Sequence, residues 1–192
     1  MRHIHLHPLG GAAGDMFVAC LLDAFPEYVD TVTAAAGALA QVECRLLPHS
    51  DGTLTGARFE VAEVPHGHAH HHHHASWRDI RTRLESSALT PAVRAHAIGI
   101  FAVLAEAEGR VHGVPADAVT FHEIGAADSI ADIAAAAAII EAVSPARWSV
   151  APLPIGSGTV RTAHGPMPVP APATALLLEG FPCTTMALRA NA

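Results

Sequence analysis

The stretch Arg2-His3-Ile4-His5-Leu6-His7-Pro8-Leu9-Gly10-Gly11-Ala12-Ala13-Gly14-Asp15-Met16 decides the fold. Ile4 and Leu6 fall on one face of an alternating run, with His3, His5 and His7 on the other, which is strand periodicity. A glycine turn follows, and Asp15 opens an apolar helix from Met16 to about Phe25. Strand, glycine turn and helix predict an α/β or α+β domain, a mixed sheet flanked by helices, with the sheet order left open.

Working outward, a second, Ala-rich helix is predicted from Pro26 to about Leu39. Val42 to Leu47 and Leu54 to Val64 read as strands joined around Asp51-Gly52, a usable hairpin turn. From Pro65 to Ala75 the sequence PHGHAHHHHHA has no periodicity and reads as a flexible loop. Ser76, with Asp79 three residues on, predicts an N-cap and a helix to about Ser87. Thr90-Pro91 starts a longer helix that ends at His112-Gly113. Phe121 to Ala127 reads as a polar turn, Ala126 to Val143 as a helix stopped by Ser144-Pro145, and Ser149 to Ile155 as a strand. Pro166, Pro168, Pro170 and Pro172 stand at alternate positions, which favours an extended, polyproline-like segment. A short helix is predicted within Ala173 to Glu179.

The 192 residues are 51% hydrophobic and 15% charged, enough apolar matter for one packed domain and too much for wholesale disorder. Among the polar residues stand 15 histidines, 11 arginines and no lysine. Without lysine there is neither a Schiff-base lysine nor a phosphate-loop lysine. The formal charge is −7 with His neutral; an imidazole pKa near 6.5 brings the balance at pH 7 to roughly −3 or −4. That excludes a basic surface built for nucleic acid. Cys20, Cys44 and Cys183 form no Cys-x-x-Cys pair and read as thiols in a reducing cytosol. The N-terminus lacks a signal-peptide core, and the longest apolar run, Ile133 to Ile140, is too short to cross a bilayer. A cytoplasmic chain with no membrane partner is expected.

The richest donor stretch is His66, His68, His70, His71, His72, His73 and His74. Its borderline-soft nitrogens suit nickel, copper and zinc. It is internal, unlike a terminal purification tag, and reads as a metal-collecting loop. A second set lies in Phe121-His122-Glu123-Ile124-Gly125-Ala126-Ala127-Asp128-Ser129-Ile130-Ala131-Asp132. Asp128 and Asp132 share a helix face in the first turns, where the helix dipole favours negative charge. With His122 and Glu123 they make a hard-to-borderline ligand set for a divalent cation; helix capping by Asp128, with Asp132 solvated, is the plainer alternative.

Glu108 and His112, one turn apart, fit an exposed pair or, close in sequence to His122, a ligand. The glycine turn with Asp15 fits an anion cradle of free N–H groups or a tight turn with no ligand. Its spacing matches neither the dinucleotide fingerprint nor a Walker loop. Asp15 either caps the helix or approaches a metal that bridges to phosphate. His164, before Gly165, is open between ligand, acid/base and surface roles. His3, His5 and His7 fit a ladder of ligands or a solvated strand face, and His49 and His96 look ordinary. No Gly-x-Ser-x-Gly elbow and no activated cysteine is present, which places metal chemistry above a protein nucleophile.

Taken in order, Gly10 to Met16, the His-rich loop, Ala107 to Gly113, Phe121 to Ile133, and His164-Gly165 through Pro172-Ala173-Thr174 resemble the LarC-type nickel-insertion family, from about residue 3 to about residue 183. The resemblance implies a nickel chelatase, a lyase of the metal-insertion kind. Such a protein places Ni2+ in pyridinium-3,5-bisthiocarboxylic acid mononucleotide, giving the nickel-pincer nucleotide of lactate racemase-type enzymes. It also implies dependence on CTP with Mg2+ or Mn2+. Asp15, His112, His122, Glu123, Asp128, Asp132 and His164 match motif positions. On chemical grounds His122, Glu123, Asp128 and Asp132 are the expected metal-near groups, joined by His112 and His164. Asp15, His122, Glu123 and Asp128 form the expected reacting set, and Gly11 and Gly14 would cradle the mononucleotide phosphate.

His7 stands where the family more often has an acidic residue, which softens the ligand set or removes one carboxylate. Family members run longer, with a C-terminal part associated with nucleotide binding. The expectation is a single N-terminal domain over residues 1–192, with a flexible His-rich loop at 65–75 and that C-terminal part absent. Its expected partners are a separate C-terminal half and a lactate racemase-type apoenzyme, and a homo-oligomer is compatible with the sequence. Two other readings stand beside the chelatase: a nickel storage or delivery chaperone, and a divalent-metal hydrolase using bound water at the cluster from His122 to Asp132.

Overall fold

The alternating N-terminal run forms strand β1 (Arg2–Leu6), and helix α1 (Gly14–Ala24) follows the glycine turn. The computed structural model describes residues 1–9, 11–62, 75–121, 127–162 and 165–185. β1 pairs in parallel with β6 (Ala146–Val150), Ile4 opposite Trp148. Parallel strands require a long crossover. Here it carries α2 (Val29–Ala40), α3 (Trp77–Glu85), α4 (Pro91–His112) and α5 (Ala127–Ala142) as well as α1. Helix α5 is the centre of the core and packs against α1, α2 and α4. Ala131, Ala134, Ala135 and Ala137 are fully buried along it. Side chains this small let neighbours approach from several sides, and a helix apolar nearly all round belongs inside.

Local chemistry explains the elements around this centre. β2 (Glu43–Ser50) and β3 (Thr55–Ala62) form the antiparallel hairpin read from Asp51-Gly52. Asp51 Oδ1 accepts the N–H groups of Thr53 and Leu54, each at 2.7 Å, and Gly52 takes φ +87°. That is an Asx turn at a position where glycine is favoured. Ser76 Oγ accepts the Asp79 N–H at 3.1 Å and donates to Asp79 Oδ2 at 2.6 Å, capping α3. Thr90 caps α4, which closes on Gly113 in the left-handed region at φ +67°. Both caps stand where the sequence put them.

Three segments differ from expectation. The single strand predicted over Ser149 to Ile155 is two: β6 ends at Val150, and β7 (Leu153–Ile155) pairs in parallel with β10 (Cys183–Thr185). Pro152 has no N–H to give a ladder, and pairing changes partner across it. The Ala151 N–H donates to Leu6, and the Leu153 N–H to Pro182. The proline-rich segment holds a hairpin, β8 (Thr159–Thr162) with β9 (Gly165–Pro168), Met167 opposite Val160. Alternate prolines put their missing donors on one edge, so Pro166 and Pro168 fit a free edge. Helix α6 (Pro172–Leu177) then follows.

Ala75, expected in the loop, starts β4 (Ala75–Ser76), antiparallel to β5 (Thr120–Phe121), with Ala75 opposite Phe121. Phe101 of α4 stacks on Trp77 at 6.0 Å between ring centroids and meets Phe121 at 6.1 Å, which anchors this pairing in the core. The described strands thus make five two-stranded sheets set among helices, a mixed α/β architecture as read. No described helix is long and apolar enough to cross a membrane.

Candidate functional site

Helices α1 and α5 meet where position 14 carries no side chain. A Cβ built on Gly14 would lie 3.1 Å from both Cβ and Oδ2 of Asp132. Asp15 follows in the first turn of α1, and Asp128 stands in the first turn of α5. These three carboxylates and β3 from Arg58 to Ala62 line a cleft of about 640 Å³. Glu60 adds a fourth carboxylate, against the single guanidinium of Arg58 among the lining residues.

The charge balance inside the cleft is unfavourable as it stands. Burial pushes the Asp132 carboxyl up to about 6, and the neighbouring Asp15 and Asp128 add to the rise. The backbone N–H of Asp15 favours the ionised form but does not win. Asp132 Oδ1 is buried and has no hydrogen-bond partner among the described residues. A buried carboxylate oxygen without a donor is costly; a cation placed there removes that cost and the carboxylate repulsion together.

The alternatives left by the sequence are partly resolved. Asp15 is not the cap of α1, since the N-cap is Ala13, with no side-chain hydrogen bond. Asp128 does serve its helix end: its Oδ1 accepts the Ser129 N–H at 2.7 Å. Asp132 is half-buried rather than solvated. Gly11 takes φ +122°, a conformation that favours glycine, with open space where a Cβ would stand. His112 Nε2 pairs with Glu108 Oε2 at 3.3 Å and does not line the cleft.

His66, His68, His70, His71, His72, His73, His74, His122, Glu123 and His164 lie outside the described residues. The residues that border them are informative. The chain leaves the described structure after Ala62, in the cleft wall, and returns at Ala75, opposite Phe121, the residue before His122. Among the described residues no three His, Cys, Asp or Glu side chains group so as to hold a metal ion. Asp15, Asp128 and Asp132 share the lining of the cleft without forming such a group.

Two features escaped the sequence reading. One is the wall from Arg58 to Ala62. The other is Cys44 of β2, opposite Val61. Burial, with the Asp132 charge behind it, pushes its thiol up to about 11. The hairpin was readable, but not that β3 packs on α1, which brings both features to the carboxylates.

Comparison with known proteins bears on the family. The family described as "Nickel insertion protein" matches residues 4–190. The chain is 43% identical over 191 residues to a "Pyridinium-3,5-bisthiocarboxylic acid mononucleotide nickel insertion protein" of Akkermansia muciniphila, covering 96% of this chain and 47% of that protein. It is 44% identical over 193 residues to a "Putative nickel insertion protein" of Geobacter metallireducens, covering 95% and 46%. A protein of the same description from Myxococcus xanthus is 38% identical over 187 residues, covering 94% and 46%. The chain spans about half the length of the curated relatives it matches. No solved structure matches it significantly. By a match that runs through nearly its whole length, the chain belongs to the nickel insertion protein family.

Proposed function

We propose that the chain is the metal-handling part of a nickel chelatase that inserts nickel into pyridinium-3,5-bisthiocarboxylic acid mononucleotide. The observation that carries this is the orphaned, buried Oδ1 of Asp132 in a cleft of carboxylates, in a chain of the nickel insertion family. Nickel is the substrate. The imidazoles from His66 to His74 collect it, and Asp15, Asp128 and Asp132 receive it with His122 and Glu123 completing the donor set. His112 and His164 are further candidate donors. The N–H groups of the turn at Gly11 and Gly14 face the mononucleotide phosphate.

Transfer follows from donor softness. Carboxylates and imidazoles hold nickel less firmly than sulfur donors, so the thiocarboxylates of the substrate draw the ion onward. Asp132, pushed up to about 6, gives up its remaining protonated fraction as the cation arrives and regains it as the cation leaves. CTP, with Mg2+ or Mn2+, enters through a C-terminal nucleotide-binding part, and a lactate racemase-type apoenzyme in the cytoplasm takes the product. A lyase-class metal insertion is the reaction.

The test combines the full chain with a separate C-terminal half, CTP, Mg2+ and unmetallated mononucleotide, and follows the nickel product by mass spectrometry. Asp132→Asn is expected to slow product formation at saturating nickel on the order of 10-fold or more, with the circular dichroism unchanged. A wild-type rate would remove the cleft from the reaction. Replacing all seven histidines from His66 to His74 by Asn should slow insertion only when nickel is limiting; an unchanged rate there would end the collecting role.

A further inference from the structure

Strands β1 and β6 turn one face outward, and that face gathers imidazoles. His3 Nε2 and His5 Nδ1 each stand 2.8 Å from the same atom, Ser149 Oγ. The register puts His5 opposite Ser149, and the His7 ring follows along the strand with its centroid 6.4 Å from that of His5. Ile4, between the two histidines, points the other way into the core. The pair is therefore on the outward face of β1, and neither histidine lines the carboxylate cleft.

One hydroxyl carries one proton. Ser149 can donate to one ring nitrogen while the other ring donates its N–H to the oxygen. Two imidazoles are thus already directed at a common point, unlike two independent surface side chains. Residues i and i+2 of a strand face the same way, about 6.5–7 Å apart. From there both rings can reach one ion at the ~2.0–2.1 Å of a metal–imidazole bond. Neither His3 nor His5 forms an ion pair with a carboxylate among the described residues. The exposed Arg147, opposite His3, weakens a cation here without blocking it.

The geometry points to a second transition-metal site, in which His3 Nε2 and His5 Nδ1 chelate a borderline divalent cation of the nickel or zinc class. Ser149 Oγ is the adjacent oxygen donor, and water fills the remaining positions. Binding exchanges the hydroxyl-centred hydrogen bonds for two nitrogen lone pairs on the ion, each neutral ring keeping its proton on the other nitrogen, His3 Nδ1 and His5 Nε2. The site is a holding position outside the cleft and does not depend on the insertion reaction.

The test uses the full chain with the seven histidines from His66 to His74 replaced by Asn, so that they do not compete. Zn2+ is titrated while the imidazole nitrogens are followed by proton–nitrogen correlation spectra. The His3 and His5 rings are expected to shift together and saturably. Nickel binding by equilibrium dialysis should weaken on the order of 10-fold or more in His3→Gln and in His5→Gln, and Asp132→Asn should leave this binding in place. Movement of one ring alone, no movement, or isotherms unchanged by both substitutions would overturn the chelate. Insertion at saturating nickel should be unaffected by His5→Gln, which separates failure here from failure at the cleft.

Discussion

Gly14 and Asp132 are packed so closely that the helix start at residue 14 has no room for a methyl group unless the carboxyl yields. A Cβ there would meet the Asp132 Cβ and Oδ2 at 3.1 Å each. The glycine of α1 thus sets where the carboxylate of α5 sits.

Gly14→Ala tests that dependence. At the first residue of α1 alanine gains less than the roughly 0.5–1 kcal/mol of a helix interior, while the methyl displaces Asp132 by a few tenths of an ångström. The two effects oppose in stability, so the thermal midpoint should move by no more than about 4 °C. On the role proposed for Asp132, nickel insertion should fall clearly. Calorimetry and the product assay on the same preparation check both; an unchanged insertion rate would show that the carboxylate position is not critical.

Stability should depend on pH through Asp132. An acid with a raised folded-state pKa stabilises the fold when protonated. That contribution is complete below the ordinary value of 3.8 and is lost as pH climbs through about 6. Asp132→Asn keeps a neutral side chain throughout. The variant should match the parent near the acid end and exceed it at about pH 7.5 by on the order of 1 kcal/mol, a figure reduced for the solvent screening of a half-exposed carboxylate. Urea unfolding of the metal-free protein across this range measures the gap, which must widen with pH.

Cys44 should be the slow thiol. Its proton is held by burial and by the charge of Asp132, up to about 11, whereas Cys20 and Cys183 are exposed. Iodoacetamide at about pH 8 should label those two first, and thiolate chemistry explains why. Asp132→Asn should speed labelling of Cys44 by removing the neighbouring negative charge. Peptide mass spectrometry reads all three; equal rates in both proteins would sever the coupling.

The alanine centre should tolerate no added bulk. Ala134 is fully buried on α5, and Ala134→Leu forces apart helices that approach through small side chains. A loss of about 1–3 kcal/mol is expected from overpacking, seen as a lower urea midpoint. A neutral result would mean unfilled space beside α5.

What was legible in the sequence was local. Asp51-Gly52 gave the hairpin, Ser76 and Thr90 the caps, and Gly113 the end of α4, because each rests on hydrogen bonds a few residues apart. What was not legible depended on partners far away. Nothing in Ala146 to Val150 says that it will lie beside β1, and Pro152 as a breakpoint has meaning only once Leu6 and Pro182 are both its neighbours' acceptors. The candidate site divides the same way. Asp128 and Asp132 were paired by helix period, and Asp15 by its turn; Cys44 and Glu60 needed β3 to pack on α1 before they could be seen.

The β4–β5 pairing is only two residues long, yet under the collecting role proposed for the seven histidines it would change the order of a reaction. The seven-histidine stretch is tied at both ends, after Ala62 in the cleft wall and before Ala75 beside Phe121. An ion caught between those ties would be offered to the carboxylates at an effective concentration of order millimolar, as short tethers allow. The second encounter would then be first-order in the protein, and the dilution of nickel in the surroundings would limit only the first.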